Sequence, residues 1–228
     1  MKNYNPFTLE NKSVLVIGQT YEIGQIVAAS CEKAGADLID GPIAYDEDGL
    51  IEFVNKCPSV DGLVIVAGAN KTILSQFVTE SEIVDFFNKN VIHGVMLCKK
   101  LQKKKKISKG ASVVFVSTLA GIDNVHYGDI VNAICGSAIS GLSKSLALEY
   151  GQKNIRVNHI RYGVIATQEM TANALLSDEE LKEKQSYFPL KRFGKPSEIA
   201  NSVLFFLSDA STWITGADIR IDGGYSLI

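Results

Sequence analysis

A chain of 228 residues with 46% hydrophobic and 21% charged residues is long enough for one sizeable core, and a single domain over 1–228 is expected. A formal net charge of -2 and a pI near 6.0 give no general pull toward nucleic acid or an anionic membrane, so neither is expected as a partner. The four cysteines (Cys31, Cys57, Cys98 and Cys135) lack Cys-x-x-Cys spacing and a neighbouring histidine cluster, which argues against a metal site or disulfide framework and makes the reduced cytoplasm the expected location.

Met1 to Glu10 is polar, and no stretch reaches about 18 apolar residues, so no targeting segment or membrane span is read. Ser13 to Ile17 is a β-branched run ended by Gly18, followed after a polar turn by Ile23, Gly24 and a helical pattern that stops at Gly35. Strand, glycine turn and helix open a dinucleotide-binding unit, in which glycines let the backbone approach a pyrophosphate at the helix N-terminus. Glu22 lies between the two glycines, where it suits an empty helix terminus and would repel a phosphate. A working phosphate loop and a plain strand-turn-helix therefore both remain open.

Ala36 to Asp40 reads as a weak strand, Pro42 to Tyr45 as a possible second one, and Asp46 as the cap of a helix carrying Leu50, Ile51, Phe53 and Val54. The next strand is Gly62 to Ala67. Only 27 residues lie between Gly35 and Leu63, whereas two strands with two full crossover helices need about 40. One βα unit after the second strand is therefore shortened or missing.

Ser81 to Leu101 has the period of one long helix, and it runs into a lysine-rich stretch ending at Lys106. Those lysines read as a solvated helix end whose cations suit the negative dipole terminus, and no aromatics interleave with them as single-stranded nucleic acid binding would need. Then come a strand at Ser112 to Val116, a polar Ser117-Thr118, a helix from about Val131 to Tyr150, and a strand at Ile155 to Ile160. A polar helical segment at Ser177 to Gln185, a helix at Pro196 to Leu207 and a last strand at Asp218 to Ile221 complete the chain. Alternating strands and helices predict an α/β fold with a Rossmann-like, doubly wound parallel sheet.

Several motifs then fall in order: Ile155-Arg156-Val157-Asn158, Gly163, Thr167, the run from Pro189 to Ala200, Thr215-Gly216 and Asp222-Gly223-Gly224. Over nearly its full length the chain resembles the classical short-chain dehydrogenases/reductases. The resemblance implies a dimer or tetramer that uses NAD or NADP to move hydride between an alcohol and a carbonyl. It places Gly18, Ile23, Gly24, Ala67, Gly68, Gly163 and Thr167 at cofactor-binding positions.

The family's chemistry needs a tyrosine acid, a lysine one helical turn later that lowers the tyrosine's pKa, and a hydroxyl that orients the substrate. The ungapped run from Gly141 to Tyr150 fixes the register and puts Asn132 at the tyrosine position and Gly136 at the lysine position. Asn132 has no proton to exchange near neutral pH, and Gly136 carries no charge. Thr118 matches the hydroxyl position and Asn90 the supporting asparagine. Ile17, Glu22, Ile65, Val66 and Tyr162 depart from the family pattern, and Ile43 falls where its adenine-flanking aspartate would be.

Tyr127 is weighed as a relocated acid. Arg161, which by strand alternation would share a face with His159 at the end of that strand, is weighed as a ligand for a substrate carboxylate or phosphate, with a surface or interface salt bridge as the alternative. His93 reads as a packed or interface histidine, and Cys135 as an inert small residue. The expectation is a family member that does not perform classical hydride transfer and acts as a small-molecule binder or an oligomer subunit. The alternative is an NAD(P)-dependent oxidoreductase with a relocated acid, or another reaction using Thr118, Asn132 and Arg161.

Overall fold

The computed structural model describes residues 5–42, 44–168, 170 and 177–228. Its strands are β1 Ser13–Ile17, β2 Asp37–Ile39, β3 Val60–Val66, β4 Ile107–Thr118, β5 Arg156–Tyr162 and β6 Asp218–Ile221. They form one parallel sheet in the order β2-β1-β3-β4-β5-β6. The helices are α1 Glu22–Lys33, α2 Glu47–Lys56, α3 Glu80–Phe87, α4 His93–Lys103, α5 Ile130–Gly151, α6 Asp178–Ser186 and α7 Pro196–Leu207.

Alternation along the strands divides the core into two layers. Leu15, Leu63, Phe115 and Val157 pack toward α2, α4 and α5, whereas Val14, Val64, Val114 and Ile160 pack toward α1 and α7. Both faces are covered, which is why β3 is an almost continuous apolar run. Among the described residues α5 is long and apolar enough, by length and composition, to cross a bilayer. Here 44% of its apolar window is buried inside the molecule, where it packs on β4 and β5.

The shortened unit lies where the residue count puts it. Compared with the doubly wound order 3-2-1-4-5-6, no strand lies outside β2 among the described residues, and α2 alone connects β2 back across β1 to β3. Asp46 caps α2 as expected, accepting from Gly49 N at 2.8 Å. The expected second strand at Pro42 to Tyr45 is not formed by its described residues, and Ile43 lies outside them.

The helix expected as one piece from Ser81 to Leu101 is α3 and α4 joined by a π-helical turn, Asn88–Ile92. Asn90 is the reason. Its side-chain Nδ2 donates to Phe86 O at 3.1 Å, capturing the carbonyl that the backbone four residues on would take in an α-helix. β4 starts five residues before its expected Ser112, because Ile107 already pairs with Val60 ahead of a register shift. β5 runs on to Tyr162 through pairing with both β4 and β6.

Candidate functional site

β1 pairs with β2 on one side and β3 on the other, so successive connections leave it in opposite directions. The crevice at the C-terminal ends of β1 and β3 is thus the switch point where open α/β sheets place ligands. Gly18 ends β1 at φ +93°, and a Cβ there would lie 2.5 Å from Val66 O. Gly24 packs so closely on the Gly18 carbonyl that it too leaves no room for a side chain. The positive φ at Gly18 and these close contacts each require glycine at their positions.

Across the mouth of this crevice lies Tyr21. Its ring packs directly on Gly68, where any Cβ would collide with it. Next to it, Glu22 Oε2 accepts a hydrogen bond from Gln168 N at 2.5 Å, joining the start of α1 to the segment after β5. Tyr21 consequently lines two cavities. One of about 460 Å³ includes Gly18, Gln19, Tyr45, Lys89 and His93. The other, about 530 Å³, includes Glu22, Gly68, Thr118, Tyr162, Gly163 and Thr167. Ile23, largely buried, also lines the larger cavity, and Ala67 is buried in the apolar core.

Thr118 closes β4 and also lines a third cavity of about 250 Å³ with Asn132, His126, Asp129 and Tyr225. Asn132 is already engaged there. Its Oδ1 accepts from Lys71 N at 3.1 Å, and its Nδ2 donates to Lys71 O at 3.1 Å and to Asp129 Oδ1 at 3.3 Å. Four residues later, Gly136 meets the chain after β4, with a Cβ placed 2.5 Å from Ala120 O. Tyr162 is buried beside Thr118; burial pushes its phenol up to about 12, partly opposed by a hydrogen bond from Asn70.

The remaining sequence-predicted residues are placed elsewhere. Asn90 is buried in its helix with its amide on Phe86 O. Tyr127 is 94% exposed in the loop before α5. Arg161 is buried on the α5 side of the sheet and ion-paired with Asp123 and Asp218. His159 shares that face, with Nε2 2.8 Å from Ser117 Oγ and Nδ1 3.5 Å from Asp218 Oδ1. His93 stacks on Tyr45 at 4.7 Å, and burial lowers its pKa. Cys135 is buried, and burial pushes its thiol up to about 11, away from a reactive thiolate.

A sequence model of the family described as enoyl-(acyl carrier protein) reductase matches residues 46–226. The chain is 31% identical over 229 aligned residues to carbonyl reductase family member 4 of Xenopus laevis, covering 99% of this chain and 89% of that one. The chain belongs to the short-chain dehydrogenase/reductase family.

Other members show the breadth of that family. A 7alpha-hydroxysteroid dehydrogenase of Clostridium sardiniense is 28% identical, covering 96% of this chain and 95% of its own. A short chain dehydrogenase family protein from Francisella tularensis subsp. tularensis SCHU S4 superposes with a TM-score of 0.80 at 26% identity, over 95% of this chain and 99% of that one. A blue fluorescent protein from a metagenomic library, solved in complex with NADPH, shares the fold with a TM-score of 0.83 at 20% identity, over 96% and 99% of the two chains.

Within this short-chain dehydrogenase/reductase fold, Tyr21, Asn70 and Asp129 are the site residues that sequence reasoning did not single out. Tyr21 lies within the glycine turn, between Gly18 and Gly24. Asn70 and Asp129 come together only because two loops pair, through Ile73 N donating to Gly128 O at 2.9 Å. Asn132 fastens the same two loops. Replacing Asn132 with alanine strands both backbone groups of Lys71 and is expected to lower stability by about 1–3 kcal/mol. Urea denaturation, with amide exchange at Lys71 as the local readout, checks this.

Proposed function

We propose that this short-chain dehydrogenase/reductase does not carry out classical hydride transfer and works as a small-molecule binder built on the family scaffold. The observation that carries the reading is Tyr21 packed on Gly68 across the switch-point crevice. A dinucleotide bound in the family's manner runs along that crevice, with its pyrophosphate at the N-terminus of α1. Tyr21 interrupts its path, and Glu22 puts a carboxylate where the phosphate charge would be. On this reading the crevice does not fit NAD or NADP.

The acid/base side supports the same conclusion. Asn132 spends its amide on Lys71, Tyr127 points to solvent at 94% exposure, and Arg161 is held by two carboxylates on the opposite face. A second reading, NAD(P)-dependent reduction of a carbonyl, is supported by the carbonyl reductase and the hydroxysteroid dehydrogenase among the relatives and by the NADPH bound to the blue fluorescent protein that shares the fold. It requires Tyr21 and Glu22 to leave the crevice and a proton donor to replace Asn132.

Titration with NADH and NADPH, followed by thermal unfolding and nicotinamide fluorescence, tests the choice. A cofactor present at about 100 times its dissociation constant would add about 2.7 kcal/mol of stability. No shift at about millimolar cofactor is expected; a clear shift with enhanced fluorescence returns the protein to the oxidoreductases.

A further inference from the structure

The cavities of about 530 and 250 Å³ meet at Asn70, Thr118, Tyr162, Gly163 and Val164. Together they offer the volume of a small-molecule site. Among the described residues, the formally charged side chains lining them are Glu22 in the larger and Asp129 in the smaller, and no lysine or arginine lines either. Both carboxylates stand at helix N-termini, Glu22 in the first turn of α1 and Asp129 at the N-cap of α5.

A helix N-terminus carries about half a positive unit, so two of them cancel about half of two full negative charges. The combined chamber is left with a negative balance of about one unit. This reverses the charge preference of a glycine turn that binds phosphate. The walls add aromatic surface from Tyr21, Tyr162 and Tyr225, and hydrogen-bonding groups from Thr118 and Asn70. Carboxylates beside tyrosine rings suit an ammonium group on an organic skeleton. A bare metal ion is a poorer match, since no group of three or more His, Cys, Asp or Glu side chains gathers among the described residues.

We infer that the chamber between Glu22, Tyr162 and Asp129 is a binding site for an organic ammonium compound. The inference rests on the crevice holding no dinucleotide. Binding of NADPH would therefore overturn both, whereas a failed amine series without NADPH binding overturns this one alone.

Three probes of matched size test it by calorimetry on the full chain: phenethylamine, 2-phenylethanol and phenylacetate. Phenethylamine is expected to bind at least about tenfold more tightly than the alcohol, with phenylacetate weakest. Glu22→Gln keeps an oxygen that can accept from Gln168 N, so the fold is retained, which an unchanged melting temperature verifies. It is expected to weaken the amine by about tenfold and leave the alcohol unaffected. The inference is overturned if the amine fails to bind, if the alcohol or the acid binds as tightly, or if Glu22→Gln leaves the amine's affinity unchanged.

Discussion

Gly136→Ala lowers the stability of this protein by about 1–3 kcal/mol, while Gly141→Ala in the same helix raises it by about 0.5–1 kcal/mol. Alanine normally improves a helix interior because it restricts the unfolded chain more than glycine does. At Gly141 no atom lies within 4 Å of the added methyl, so only that benefit remains. At Gly136 the methyl would sit 2.5 Å from Ala120 O, and either α5 or the chain after β4 has to move. Opposite signs in urea denaturation would establish the contact; a stabilising Gly136→Ala would refute it.

Placing a tyrosine at 132 and a lysine at 136 meets the same obstacle. Lysine at 136 starts from the same Cβ, and tyrosine at 132 removes the amide that holds Lys71 N and O. The double variant Asn132→Tyr with Gly136→Lys is therefore expected to be less stable than the parent and to show no NADPH-dependent carbonyl reduction. Turnover by that variant would show that the scaffold still accommodates the catalytic pair.

Arg161→Met is expected to destabilise the protein by about 3–5 kcal/mol, because it leaves Asp123 and Asp218 without their shared buried cation. The network is dense. Asp218 also receives Ser140 Oγ and lies 3.5 Å from His159 Nδ1, and Arg220 reaches Asp123 at 3.6 Å. Burial alone would raise the Asp218 carboxyl, but its interactions with His159, Ser140 and Arg161 outweigh that and hold it well below the usual carboxylate range.

The sign of the pH dependence follows from that depression. In the unfolded chain an aspartate titrates near about 3.9, so the stabilising contribution of Asp218 is complete above that pH. It is lost as pH falls from there through the lower folded value. The urea midpoint of the parent should drop below about pH 4, with the portion due to Asp218 missing from the slope of Asp218→Asn. Parallel slopes for the two proteins would remove Asp218 from the acid sensitivity.

Most of the architecture was legible in the sequence, because parallel strands and amphipathic helices leave strong periodic signals. β3 and α7 show this, and so does the residue count that pointed to the shortened unit beyond β2. The π-turn at Asn88–Ile92 was not legible, since the apolar spacing passes through it unchanged and its cause is one side-chain amide on Phe86 O. The face taken by Arg161 was also hidden. Alternation paired it with His159, and only sheet pairing and the position of α5 put both on the side away from Thr118.

By itself the sequence determined the family, the parallel sheet and the identities Asn132 and Gly136, because each depends on residue type and spacing along one chain. Only the tertiary structure decided what those residues do, since hydrogen bonding and steric contact depend on groups far apart in sequence. Asn132 became a fastener through Lys71, Gly136 a point of contact through Ala120, and Tyr21 a packing partner of Gly68. A glycine turn whose sequence fits either a phosphate loop or a plain strand-turn-helix is seen to pack its two glycines against Val66 and against each other once the residues facing it are in place.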